Sequence, residues 1–363
     1  MFFTSALFSR RLLKWYDRNR RDLPWRVRAG DKPNPYHVLI SEIMLQQTQV
    51  ATVVPYFHRF IEKFSTLADL AAADEQLVLK LWQGLGYYSR ARNLHQAAKT
   101  LVAAKNGQIP RDIESLLKLP GIGRYTAGAI ASIAFDTAAP ILDGNVARVL
   151  CRLDKITTNP RDRQTQQVLW QRASQIVPKN RAGDFNSAMM ELGATLCTPR
   201  SPNCLICPVK PHCQAFAAGL QDRIPLRKKK SPTSLFYRSV FCLRRGENGQ
   251  ATWLIEQRPP RGRWAGLWQF VTTESDGPPA SADDVHVAAG VKSGIPQQIS
   301  TIQHALTHRR YRFDVYLCDV SSQRGKGRES NRRWVRLDQL DTYPLPRPHV
   351  RIAELLKALP EKK

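Results

Sequence analysis

The hydrophobic period of this chain changes once, near residue 222, and that change limits what the chain can fold into. Before it, apolar residues recur at helical spacing. Phe8, Leu12 and Trp15 stand at i, i+4 and i+7 on one face of a first helix. Ser65-Thr66 opens a segment with Leu67, Leu70 and Ala71 on one stripe. Asp74 reads as the N-cap of a helix carrying Leu77, Val78, Leu81 and Trp82, ended by Gly84 and Gly86. Helix, short turn and helix alternate to about Gly219 without strand alternation of any length, so residues 1–221 are expected to form an all-α domain. Residues 222–234 carry Pro225, Pro232 and the run Arg227-Lys228-Lys229-Lys230, and read as a basic, solvated linker. Beyond it the period becomes two. Phe236–Leu243, Thr252–Gln257 and Arg312–Asp319 predict strands and Asp283–Ala289 a helix, giving an α+β domain over residues 235–359.

Charge narrows the class of partner. The chain holds 55 Lys and Arg against 30 Asp and Glu, a net charge of +25. An excess of this size repels itself in a compact fold, and a polyanion relieves it, so nucleic acid leads. A membrane surface is the rival, but the longest apolar stretches fall well short of the roughly 20 residues of a spanning helix. The segment Met1–Arg11 has no apolar core or small-residue cleavage site of a secretory signal, which points to the cytoplasm.

Four of the seven cysteines lie within 17 residues, as C-x6-C-x2-C-x5-C at Cys197, Cys204, Cys207 and Cys213. Four thiolates so close suit a tetrahedral zinc or a cubane iron–sulfur cluster. Pro199, Pro202, Pro208 and Pro211 would hold the loop in shape. Upstream, residues 113–134 read as helix, turn, helix. Ile113, Leu116 and Leu117 end at Leu119-Pro120-Gly121-Ile122-Gly123, and Ala127, Ile130, Ala131 and Ala134 follow at helical spacing. The glycines permit close backbone approach, and the N–H groups that start the second helix suit a phosphate, with Arg124 beside them. An ordinary helical hairpin also uses glycine in its turn; the net charge favours the phosphate reading.

Two acids have contrasting neighbours. Glu42 sits among Ile40, Ile43, Met44 and Leu45, a setting that raises a carboxyl pKa and suits a general acid. Asp143 lies beside Gly144 and Asn145 in a polar turn and is expected to stay ionised. From these residues alone, a helix-surface glutamate and a capping aspartate are the better readings, since the chain has 30 acidic residues.

Taken together, these blocks resemble the endonuclease III superfamily of helix–hairpin–helix DNA glycosylases, and within it the adenine DNA glycosylases. The resemblance runs from about Leu23 to Phe216. It rests on Leu23-Pro24-Trp25-Arg26, the run from Ser41 to Val50, Gly84-Leu85-Gly86-Tyr87-Tyr88-Ser89-Arg90, Leu142-Asp143-Gly144-Asn145-Val146 and the cysteine loop. It implies an all-α helix–hairpin–helix glycosylase domain with an iron–sulfur cluster loop (residues 197–213), one 4Fe–4S cluster on the four cysteines, and duplex DNA with A:oxoG or A:G mispairs as partner, bound by a monomer. It implies further that Glu42 protonates the flipped adenine and helps activate water, that Asp143 stabilises the sugar cation, and that Tyr125 and Asn145 support them. Trp25 and Arg26 match the adenine pocket. Gln47 and Tyr87, with Leu85 near them, match the side chains that fill the opened duplex, and Leu119, Gly121, Gly123 and Arg124 the phosphate-binding turn. Tyr125 stands where bifunctional relatives carry a lysine, and a phenol forms no Schiff base, which implies a monofunctional enzyme.

The C-terminal part resembles the Nudix-like module with which adenine glycosylases read 8-oxoguanine. Its clearest block runs from Gln257 to Phe270. The magnesium-binding acidic helix of Nudix hydrolases is missing between Gly277 and Gly294, which favours recognition over hydrolysis. The family's Phe-Ser-His loop stands here as Leu306-Thr307-His308, so Thr307 and His308 are expected to contact 8-oxoguanine. Two rival readings are a pyrimidine-specific glycosylase/lyase, opposed by Tyr125 and Glu42, and a non-catalytic iron–sulfur DNA-binding regulator, which leaves the carboxylate blocks unexplained.

Overall fold

The structure is a computed structural model that describes residues 5–27, 31–226, 233–246, 250–274, 280–306, 309–320 and 331–359. Its helices are α1 (Ser5–Asn19), α2 (Pro35–Leu45), α3 (Val50–Lys63), α4 (Leu67–Ala72), α5 (Glu75–Leu81), α6 (Ser89–Lys105), α7 (Ile113–Leu117), α8 (Arg124–Phe135), α9 (Gly144–Leu153), α10 (Arg163–Ile176), α11 (Ala182–Thr195), α12 (Gln214–Ala217), α13 (Ala282–Ala289) and α14 (Arg347–Lys357). The strands are β1 (Ser234–Arg245), β2 (Thr252–Gln257), β3 (Trp268–Glu274), β4 (Gln297–Ala305), β5 (Arg309–Asp319) and β6 (Arg332–Val335). Among the described residues no strand precedes Ser234, as the helical period predicts.

The chain divides into two compact units, Met1–Ala72 with Asn93–Lys229, and Ala73–Arg92 with Lys230–Lys363. In the first, Phe8 and Leu12 of α1 are fully buried with Leu150 of α9, Leu169 of α10 and Phe185 and Leu192 of α11. Helix ends carry the signals that sequence offers. Asn34 caps α2 by accepting from the Tyr36 amide, Pro35 occupies its first turn, and Asp112 caps α7. Ile224, which the proline-rich composition placed in a solvated linker, is instead buried in this helical core and its carbonyl takes the Arg152 guanidinium. The basic run Arg227–Lys230 lies outside the described residues.

The second unit holds a six-stranded sheet in the order β4-β5-β1-β3-β2-β6. β1 runs parallel to β5 and antiparallel to β3; the other pairings are antiparallel. Alternation along β1 sends Val240 and Cys242 to one face and Phe241 and Leu243 to the other. The first face packs with Ile352, Ala353 and Leu356 of α14, the second with Val285 and Ala289 of α13. A helix on each side of a mixed sheet is the expected α+β domain. Residues 73–92, which continue the helical period in sequence and end inside α6, are grouped with this unit.

Candidate active site

Glu42 lies on the buried face of α2 and is 4% exposed. The Tyr125 hydroxyl, from the first turn of α8, donates to Glu42 Oε2 at 2.8 Å and lies 3.2 Å from Met190 Sδ. Burial pushes the Glu42 carboxyl up to about 7. The Tyr125 bond and the Arg26 charge pull the other way, and the charge of Asp143 adds to the rise. The same burial, with Glu42 beside it, raises the Tyr125 phenol well above its ordinary value.

Asp143 is the N-cap of α9. Its Oδ1 accepts from the Val146 amide at 2.7 Å and its Oδ2 from Asn145 Nδ2 at 3.2 Å. Sequence placed it in a polar turn, and the turn is polar, but the carboxyl is also half-buried. That burial raises its pKa against the pull of the Val146 and Asn145 hydrogen bonds and the charge of Arg148. The positive end of the α9 dipole favours its ionised form. Asn145 is itself held, because Arg148, one turn on, donates to Asn145 Oδ1 at 2.8 Å. Arg148 also donates to the carbonyls of Gly193 and Cys197, each at 2.7 Å. A Cβ at Gly193 would stand 2.7 Å from the Asn145 Cβ, so glycine lets α11 approach this closely.

Glu42, Tyr125, Asp143 and Asn145 line one cleft of about 1710 Å³, together with Trp25, Arg26 and Gln47. The structure thus brings both acids to one opening although a hundred residues separate them in sequence. Trp25 is largely buried, edge-on to Phe57 with ring centroids 5.3 Å apart. Arg26 NH2 pairs with Glu191 Oε2 at 2.8 Å and Arg21 Nε with Glu191 Oε1 at 2.6 Å. Burial raises the Glu191 carboxyl, but these two arginines more than offset it and hold it below its ordinary value. Sequence reading missed Arg148, Met190 and Glu191, all on the cleft wall. Arg148 follows Asn145 at i, i+3, a spacing that offers a signal; Glu191 and Met190 arrive from α11 and give none. Chemically, the cleft holds one carboxyl poised to give a proton near neutral pH and another at a helix N-terminus, whose positive end and hydrogen bonds favour the anion against burial.

Gln47 and Tyr87 are both exposed and both have left-handed backbones, at φ 57° and 47°. Side chains other than glycine hold that conformation only under constraint from their surroundings, which makes both positions stand out. Leu85, grouped with them from sequence, is buried, and its carbonyl accepts from Arg90. In the α7–α8 turn, Gly121 has φ +77° and its missing Cβ would lie 2.7 Å from the Asn93 Cβ. Gly123 caps α8 without a side-chain bond. Leu119 is buried. The Arg124 guanidinium stacks on Trp170, 3.9 Å from the ring centroid. Thr307 and His308 lie outside the described residues.

The four cysteines line a single cavity together with Val149, Leu153, Leu192 and Leu196. Arg152 NH1 donates to Cys197 Sγ at 3.2 Å and to the Thr198 carbonyl at 2.8 Å. No group of three or more His, Cys, Asp or Glu side chains among the described residues is spaced to hold a single metal ion. Four thiols around a shared cavity, with the Arg152 guanidinium against one of them, are a donor set that fits an anionic metal centre.

Residues 40–175 match the model for the HhH-GPD superfamily of base excision DNA repair proteins, and residues 240–355 match that for the NUDIX domain. An adenine DNA glycosylase of Buchnera aphidicola (Schizaphis graminum) is 34% identical over 98% of this chain and 100% of its own length. The adenine DNA glycosylase of Rattus norvegicus is 39% identical over 87% of this chain and 71% of its own. The chain belongs to the adenine DNA glycosylase family. A solved structure of a non-covalent endonuclease III–DNA complex is 27% identical, with a TM-score of 0.50, and covers 61% of this chain and all of that one. As an adenine DNA glycosylase family member, the protein is a DNA repair enzyme that hydrolyses N-glycosyl bonds. Its helical unit has the endonuclease III fold and its C-terminal unit is Nudix-like. No described helix is long and apolar enough to cross a membrane.

Proposed function

We propose that this chain is a monofunctional glycosylase that removes adenine opposite 8-oxoguanine or guanine in duplex DNA. The observation that carries this reading is the pair of acids on one cleft, a buried Glu42 held at about 7 beside Tyr125 and an Asp143 tied to the N-terminus of α9. Departure of a purine needs a proton on the base and negative charge near the sugar as it becomes oxocarbenium-like. Glu42, its carboxyl raised to about 7 by burial, can hold a proton near neutral pH and donates it to the everted adenine. Asp143 faces the developing sugar cation, and Asn145, steadied by Arg148, keeps its carboxylate aimed. Glu42, once ionised, takes a proton from the attacking water. Trp25 and Arg26 wall the base pocket, and Gln47 and Tyr87 fill the space the base leaves.

Tyr125 supports the monofunctional assignment, since its phenol, tied to Glu42, has no amine with which to open the sugar. The family name of the relatives supports adenine as substrate, and the endonuclease III–DNA complex supports a duplex partner, with Gly121, Gly123 and Arg124 at the phosphate. Cys197, Cys204, Cys207 and Cys213 would hold one 4Fe–4S cluster, a structural and redox-capable centre when bound. Iron and acid-labile sulfide in equal amounts in purified protein, rather than zinc, would bear this out. Thr307 and His308 would contact 8-oxoguanine. The enzyme would act as a monomer and reside in the cytoplasm, with the DNA.

Labelled duplexes carrying A:oxoG, A:G, A:C or an oxidised pyrimidine test the reading. Excision of adenine from the first two, with no strand nicking and no borohydride-trapped adduct, is the expected result. Release of a pyrimidine, or abundant trapping, would contradict it.

A further inference from the structure

The block from Arg263 to Trp268 stood out in sequence, and the reading above gives its backbone no task. Besides its neighbours in the sheet domain, such as Gln257, which also donates to the Gly266 carbonyl, it has partners in residues 73–92, which group with the C-terminal unit. The Gln76 side chain, in the first turn of α5, donates from Nε2 to the Gly266 carbonyl at 3.3 Å and accepts at Oε1 from Trp268 Nε1 at 3.1 Å. Arg92 donates to the Ala265 carbonyl at 2.6 Å. The Leu345 amide donates to Gln83 Oε1 at 2.9 Å, and Lys80 reaches the Tyr343 carbonyl at 3.4 Å. The stretch is thus tied to the Nudix-like fold at both ends and in the middle.

What it carries between those ties is the turn of Tyr87. Trp82 Nε1 donates to the Gly86 carbonyl at 3.1 Å, and Arg90 donates to the carbonyls of Leu85 and Gly86. The Arg90 guanidinium lies over both the Trp82 and Tyr87 rings. Gly84, Gly86 and Tyr87 all have positive φ. Tyr87 is therefore an exposed ring on a strained turn whose shape is set from below by hydrogen bonds.

We propose that residues 264–268 are the seat of the duplex-opening wedge and that Gln76 is the positioning residue that sets Tyr87 there. The inference rests on the reading of Tyr87 as a wedge. Its consequence is that the stretch carrying the side chain that fills the gap, although it lies within the residues that match the HhH-GPD model, is anchored on the unit proposed to read the opposite base, which couples the two acts. A Gln76→Ala variant loses a donor and an acceptor at once. Trp268→Phe removes the Nε1 donor while keeping an aromatic, though smaller, ring, and Gln76→Glu keeps the acceptor for Trp268.

A duplex in which 2-aminopurine replaces the adenine opposite 8-oxoguanine reports unstacking by its fluorescence, independently of bond cleavage. Gln76→Ala should lower the unstacked fraction about tenfold, the weight of two neutral hydrogen bonds, and Trp268→Phe by a smaller factor, with Gln76→Glu between wild type and Gln76→Ala. The pH at which excision falls off should stay that of wild type in all three, because Glu42 is untouched. In a Tyr87→Ala background, Gln76→Ala should have no further effect. If Tyr87→Ala leaves unstacking unchanged, the wedge reading fails. If Tyr87→Ala lowers it but the Gln76 and Trp268 changes are neutral, or add fully to it, the positioning role is overturned while the wedge stands. Should Gln76→Ala not fold, Trp268→Phe alone decides.

Discussion

Glu42 shows how far a single residue can be read before its surroundings are known. Its apolar neighbours in sequence foretold burial, and the fold delivers it, with the carboxyl raised to about 7. That rise has a cost. Between the ordinary glutamate pKa and 7 the folded state binds a proton that the unfolded state has released, so stability is full below that window and falls as pH rises through it. A carboxyl held at about 7 rather than 4.5 destabilises the fold by roughly 3 kcal/mol once both states are ionised. Glu42→Gln should therefore be more stable than wild type at pH 8 and lose that advantage at pH 4, by denaturant unfolding at both values; a gap independent of pH would contradict the burial argument. Asp143 was less legible. Its cap is local and followed from Asp-Gly-Asn before a helix, but its burial comes from elements distant in sequence, which no window around residue 143 contains.

At the level of elements, the site depends on how closely α9 and α11 cross. Gly193 is the contact point, and a methyl there would press on Asn145 at 2.7 Å. Gly193→Ala should cost about 1–3 kcal/mol in stability from overpacking and reduce excision at least tenfold by displacing Asn145 from Asp143. A single-turnover rate and a melt on the same sample check both, and a wild-type rate would show that the crossing has slack. Helices were easier to foresee than strands. α5 and the α7–α8 hairpin have caps and apolar stripes that a local reading catches. β4 does not, because only Ile302 along it is buried and its remaining side chains are wholly or partly exposed. β3 opens with four buried residues in a row and no alternation, and β6 is four residues long. α14 went unread behind its prolines, although Ile352 and Leu356 lie on one buried face.

For the whole molecule, the net charge of +25 is the property that acts at longest range. If it serves the DNA backbone, affinity for an undamaged duplex should drop roughly a thousandfold or more between 50 and 200 mM salt, as several counterions are released; a change below tenfold would deny the phosphate role. The two-part organisation was visible in the change of period, and the family in its motif blocks. The membership of residues 73–92 was not, because chain continuity and helical period both assign them to the first unit. Only contacts such as Gln76 with Trp268, far apart in sequence, assign them to the second. The central claim is chemical, and the pH dependence of single-turnover adenine excision from an A:oxoG duplex tests it most directly. The account predicts a rate that declines as pH rises through about 7, and a Glu42→Gln variant that binds the duplex as wild type does but releases no adenine. A Glu42→Gln enzyme that cuts at the wild-type rate would contradict it.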